Sequence, residues 1–459
     1  MSWMWNESGP VCGGSFTNLV SSVASPDPRR RKWVKKNGMA TVRLELPVLQ
    51  NWSCHNCGGC CRQHLIEVTE AERQRILSQN WTTQDGIQQP VLTWYAGPPW
   101  RKRYRLTHTA DGGCVFLDER GLCRIHSKFG EAAKPLPCRV YPFAFHPAGK
   151  SFAVSLRYSC PSVVANLGTS VPKRSAELRR MAEEVIPSTA TNSPPPLLTA
   201  RDRVDWSDLL PFVEALDHTL ADPSTSVVVK VVRAITWTTL VGQSSFEKLR
   251  GPRIRELIGL LLEAARIETP SVPEPISEPS RVGRLYFRTV VAQYARKDTV
   301  ADLSSGLLGR WRLLRAILRF TKGAGDIPSL QTGLKEVPFT SLEPPFGGID
   351  SESEEILTRY FRVKIQGMHF FGSAYYDIPF AEGFHSLALM LPVTLWLARW
   401  HAVSDGRDRL TADDISKGLA MADHHHGYSP ALAQFAARRR VRSLVELGDL
   451  SWLCFWYSR

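Results

Sequence analysis

Cys54-His55-Asn56-Cys57-Gly58-Gly59-Cys60-Cys61 places four thiols in eight residues, a C-x2-C-x2-C-C pattern. Cys114, Cys123, Cys138 and Cys160 follow, so eight of the chain's ten cysteines fall between residues 54 and 160. Thiols separated by two residues can close on one metal ion within a tight loop, and Gly58 and Gly59 let that loop turn freely. The spacing predicts a small domain of short elements held together by metal, with the cysteines in its loops and at element ends.

The flanking pattern fits that expectation. Val42–Leu46 alternates and reads as a strand, as do 91–95, 104–108, 115–117 and 152–158. Thr69-Glu70-Ala71-Glu72 is a capping box opening a short helix over 73–77. Residues 173–186 are helical and charged, and Asn192-Ser193-Pro194-Pro195-Pro196 is a linker or an extended turn. Helical periodicity then runs to the C-terminus, over 206–220, 226–240, 246–267, 282–295, 307–320, 352–371, 384–401, 411–422 and 430–447, with a Pro-rich break at 269–279. No fixed-period repeat is present. The predicted class is α+β. Residues 1–39 form a disordered basic tail, 40–170 a small cysteine-rich metal-binding domain with short strands, and 171–459 a larger all-α helical domain.

At 459 residues, 43% hydrophobic and 22% charged, the composition is that of an ordinary globular protein. The formal charge of +13 and pI near 9.4 suit an anionic partner, whether nucleic acid, a membrane surface or an acidic protein face. A solvated basic surface accounts for the same numbers, and nucleic acid is not favoured. The basic run Arg29–Lys36 reads as part of a solvated tail, and Met39, directly before the first strand pattern, reads as an alternative start. Residues 1–14 lack the basic start and apolar core of a secretion signal. The longest apolar stretch, 387–398, is broken by Pro392 and is short of the roughly 20 residues a membrane span needs. These features predict a soluble cytoplasmic protein without a membrane span, and in a reducing compartment clustered thiols serve as ligands rather than disulfides.

Two ligand arrangements remain open. Eight thiolates make two tetrahedral zinc sites. Alternatively Cys54, Cys57 and Cys60 have the spacing of a ferredoxin loop, with Cys160-Pro161 as a remote fourth ligand to an iron–sulfur centre. Cys60 and Cys61 are adjacent and point differently, so one serves a second metal or stays free. Arginine follows three of the cysteines, at Arg62, Arg124 and Arg139, where guanidinium charge offsets thiolate charge. His55 and His126 are placed around the ligands, since eight thiols already suffice for two sites. The C-x3-C-x2-C spacing of radical S-adenosylmethionine enzymes is absent. Asp423-His424-His425-His426 closes the helix opened by Thr411 and reads as a polar C-terminal turn. Ser386–Trp400 is apolar on nearly all sides and reads as a buried central helix. No Gly-rich strand-to-helix loop for a nucleotide cofactor is visible, and no Ser–His–Asp order can be assigned.

The cysteine blocks resemble a known group. Cys54-x2-Cys57-x2-Cys60-Cys61, Gly113-Cys114-Val115-Phe116-Leu117, Cys123-Arg124-Ile125-His126 and Pro137-Cys138-Arg139-Val140-Tyr141-Pro142-Phe143 are similar, in order, to the YkgJ-type cysteine-cluster proteins. The resemblance covers about residues 48–162 and departs from simple members in the long interval between Cys61 and Cys114. It implies chelation of zinc or iron; a 4Fe-4S cluster is the form of iron that the ferredoxin-like spacing suggests. Flagellin lysine-N-methylases are assigned to the same group. Membership therefore implies protein-lysine methylation, with S-adenosylmethionine as donor and a protein bearing surface lysines as substrate. No catalytic motif in the helical part corresponds to that activity.

Overall fold

The computed structural model describes residues 43–187, 192–269, 271–296, 306–331 and 334–459. The basic tail and Met39 lie outside the described residues. Two hydrophobic cores organise the rest. The smaller joins Ile66, Ile76, Trp81, Ile87, Leu106, Phe116 and Ile125. The larger starts at Val140, takes in the hairpin that follows, and extends through the helices to Tyr457.

The short strands gather into small sheets. Glu67–Val68, Arg103–Leu106 and Leu92–Ala96 form an antiparallel sheet over the smaller core. Phe143–Ala148 and Ser151–Leu156 form a hairpin, and Arg43–Glu45 pairs in parallel with its second strand. Phe143–Ala148 is mostly buried, His146 included, and contains Pro147, a pattern that argues against a strand in sequence. Here it is the edge of its sheet, where proline costs no ladder bond. The predicted strand at 115–117 is instead a turn between two isolated bridges, with Val115 and Phe116 plugging the smaller core.

The helical body follows the expected order with shifted ends. The 246–267 prediction contracts to Pro252–Glu268, because Gly251 at φ +55 and Pro252 set the start. The 352–371 prediction becomes Ser351–Gln366. The 384–401 prediction becomes two abutting helices, Phe380–Ala388 and Met390–Ser404. Residues 430–447 likewise divide into Pro430–Ala433 and Phe435–Glu446. The final helix, Asp449–Tyr457, is apolar without periodicity and left no sequence signal.

Met390–Ser404 is the centre of the larger core, as its all-round apolarity predicts. The terminal guanidinium nitrogens of its buried Arg399 donate to the carbonyls of Leu342, Pro344 and Arg459 at 2.7–3.1 Å. The stretch Phe380–Ser404 is long and apolar enough to cross a membrane, but 94% of its most apolar 18 residues are buried within the protein. Its apolarity is therefore accounted for by core packing.

Candidate metal centre

Gly58, at φ +66, turns the Cys54–Cys57 loop into the short helix Gly59–Gln63, which carries Cys60 and Cys61. The loop closes against a turn at Gly121. A Cβ added there would meet the Asn56 carbonyl oxygen at 2.3 Å, so only glycine permits the approach. The Cys114 N–H donates to the Cys61 carbonyl at 2.9 Å and ties the second block to the first. Cys123 precedes the helix Arg124–Phe129, Cys138 lies inside Leu136–Val140, and Cys160 precedes Pro161–Val164.

All eight cysteines line one cavity of about 500 Å³. Cys54, Cys57 and Cys60 are exposed at its rim, Cys61, Cys123 and Cys138 are half-buried, and Cys114 and Cys160 are buried. Trp52, His64, Phe116, His126, Glu131, Lys134 and Tyr141 complete much of the wall. Cys454 sits in the larger core and does not line this cavity. Cys12 lies outside the described residues.

The thiols are electrostatically uneven. Burial pushes Cys114 up to about 12 and raises Cys138 and Cys160. Cys60 is lowered to about 7, first by its hydrogen bond with the Cys61 thiol 4.0 Å away and further by the Lys134 ammonium. Cys61 is raised in return. The buried thiols are thus held neutral by their surroundings, and a bound cation is what inverts that preference. An all-sulfur donor set is the chemistry of zinc and iron–sulfur sites. Among the described residues, no three His, Cys, Asp or Glu side chains stand close enough to hold one ion as placed. The thiols ring a space instead of a point.

Residues 53–161 match the family model CxxCxxCC, described as "Putative zinc- or iron-chelating domain". This segment is a CxxCxxCC cysteine-cluster domain. No curated protein and no solved structure matches the chain.

The helical body supplies the support behind the CxxCxxCC domain. Arg157, Tyr158 and Cys160 lie on the segment that leaves the hairpin. The Tyr158 N–H donates to Asp423 Oδ2 at 2.5 Å, and Arg157 donates to the His424 carbonyl at 3.1 Å. Asp423 in turn pairs with Lys364 at 2.7 Å, with neither side chain exposed. Lys364 also donates to the Leu156 carbonyl at 3.0 Å, and burial lowers its pKa against the opposing pull of Asp423. His64, a cavity residue, stacks on His424 at 5.2 Å and contacts Tyr141 at 4.8 Å. Gln50 accepts from the Tyr158 hydroxyl at 2.8 Å and donates to Val163, holding the entry and exit of the domain together.

Several residues stand differently from expectation. The helix ends at His425 as read, but Asp423 and His426 are buried, so this polar helix end is an internal junction. Arg62 pairs with Asp111, Arg124 with the Asp85 carbonyl and Arg139 with Glu184. Of the three, only Arg139 lines the cavity, and Lys134 is the cation that acts on the thiols. His55 hydrogen-bonds Ser162, while His126 is on the cavity wall. His64 and Tyr141 were missed as site residues. A usable signal existed for His64, which is three residues after Cys61, one helical turn on.

Proposed function

We propose that the eight cysteines of the CxxCxxCC domain hold a zinc or iron centre at their shared cavity. The helical body, through Asp423 and Lys364, fixes the segment that presents Cys160. The observation that carries this reading is convergence: thiols from separate blocks, up to about 100 residues apart in sequence, meet around one space. Binding would draw them inward, since sulfurs on a tetrahedral ion with ~2.3 Å bonds lie roughly 3.8 Å apart. Zinc would act as a closed staple, whereas an iron–sulfur cluster would add redox capacity. Anaerobic purification with metal analysis and a visible spectrum tests the reading. Broad brown absorbance assigns iron–sulfur, a colourless protein with stoichiometric zinc assigns a staple, and a metal-free folded protein refutes both.

The resemblance adds a second reading, methyl transfer to a protein lysine. The cavity favours it in one respect. It joins the thiols to an apolar wall of Trp52, Phe116 and Tyr141 and a carboxylate, Glu131. A lysine nucleophile must be neutral, which requires an apolar pocket or a nearby base. The anaerobically purified protein, incubated with methyl-labelled S-adenosylmethionine and cell extract, should then label a protein at lysine, and Cys57→Ala should abolish the labelling. Full metal content without transfer would leave a zinc-stapled protein-binding module.

A further inference from the structure

The helix Gly306–Lys322 is oriented against the usual rule. Its inward anchor is Phe320, buried against Phe339, Trp396 and Trp400 at ring distances of 5.5–6.3 Å, with buried Ala316 one turn earlier. At 100° per residue the outward face then centres on positions 311 and 318. A globular protein places polar residues there. This helix places Trp311 (63% exposed) and Leu318 (59% exposed) there, with Leu314 and Ile317 also exposed on one flank. The other flank carries exposed Arg312, Arg315 and Arg319, followed by Lys322. The whole helix contains no acidic residue. On Arg281–Tyr294, the helix packed beside it, Val282 and Leu285 are exposed together with Arg281.

We propose that this face is a docking surface for an anionic lipid bilayer, on which Gly306–Lys322 lies in the plane of the headgroups. An exposed tryptophan and leucines along one stripe, with arginines beside them, is the composition of an interfacial helix. Tryptophan favours the headgroup level because its ring is apolar and its N–H is polar. The charge decides between occupants. A second copy of this chain would bring arginine against arginine, which opposes self-association across this face. An anionic surface meets both features, since the lipid phosphates and carboxylates answer the arginines and the acyl boundary takes Trp311 and Leu318. The predicted binding is peripheral and reversible, because one short apolar stripe buries far less than a spanning helix.

The test is co-sedimentation of the full chain with vesicles. One set contains phosphatidylcholine with phosphatidylserine and the other phosphatidylcholine alone, each at low and high salt. The full chain should sediment with the anionic vesicles, and high salt should release it. The triple variant R312E, R315E, R319E should weaken binding by about 100-fold or more, taking roughly fivefold for each basic residue lost near the surface and adding the repulsion of each reversed charge. W311A with L318A should weaken it at low salt as well, by removing the apolar part. All five positions are exposed, so both variants should keep the wild-type melting temperature and metal content. Equal sedimentation with both vesicle types, or unchanged binding by the folded variants, would overturn the proposal. So would failure to bind vesicles at all. Variant-sensitive binding to a single-stranded oligonucleotide in place of vesicles would also overturn it and assign the surface to nucleic acid.

Discussion

Replacing Asp423 with alanine should damage the cysteine domain from a position no one would choose by inspecting the cysteines. The Asp423 carboxylate makes two contacts, one oxygen to Lys364 at 2.7 Å and the other to the Tyr158 N–H at 2.5 Å, and both side chains of the ion pair are fully buried. The variant leaves an ammonium without its counter-charge and a backbone donor without an acceptor. Breaking one side of a buried pair costs about 3–5 kcal/mol, a large part of a total stability of about 5–15 kcal/mol. At roughly 2 °C per kcal/mol for a large domain, the melting temperature should fall by about 6–10 °C. Because Tyr158 is two residues from Cys160, metal content should fall with it. The double variant D423L with K364M separates charge from position. It removes both charges and should recover most of the stability, since an apolar replacement for a buried pair is often neutral, but should not restore the Tyr158 tether. Differential scanning calorimetry with metal analysis of the three proteins decides the matter. A single variant as stable as wild type, or a double variant no better than the single, would refute the reasoning.

Other consequences follow from the same geometry. Gly121→Ala forces an alanine into φ +80 with its Cβ against the Asn56 carbonyl, and should cost about 1–3 kcal/mol while lowering metal content in purified protein. Cys57→Ser and Cys138→Ser should each lose bound metal, whereas Cys454→Ser should keep it. Cys454→Ser will still lower the melting temperature, because it places a hydroxyl in a fully buried site, so metal content and not melting is the discriminating readout. Burial lowers His146 and His385 from 6.5 to about 4, the former aided by Lys364 and opposed by backbone groups of Gly367 and Phe145, the latter opposed by Glu382. Unfolding lets each take up a proton, so their folded state is fully stable above pH 6.5 and loses stability as pH falls toward 4. A gap near 2.5 in pKa is worth about 3 kcal/mol for each. Melting temperatures measured from pH 7.5 to 4.5 should drop steeply below 6.5, and a flat profile would contradict the burial of these neutral imidazoles.

The legible part of the chain was the part governed by short-range pattern. The Thr69/Glu72 capping box is formed as read, with the Glu72 carboxylate accepting from Thr69 at 2.8 Å. Knuckle spacing marked the eight thiols, and all-round apolarity marked Ser386–Trp400 as core, which the structure places mostly in Met390–Ser404. What stayed illegible depends on partners distant in sequence. Phe143–Ala148 hides its strand period because both faces are covered, and Asp449–Tyr457 hides its helix period for the same reason. Asp423 looked like a cap residue because polar residues cluster at helix ends. Its burial rests on Lys364, 59 positions away, and on Tyr158, in another part of the fold. His64 and Tyr141 joined the cavity through the same long-range packing.

The central claim is sulfur ligation by the converging cysteines, and X-ray absorption at the metal edge of the anaerobically purified protein tests it most directly. The predicted result is a zinc or iron edge whose first shell is sulfur at ~2.3 Å, diminished in Cys57→Ala and Cys138→Ala and unchanged in Cys454→Ala. A first shell of nitrogen or oxygen, or a metal signal indifferent to the cysteine variants, would contradict it.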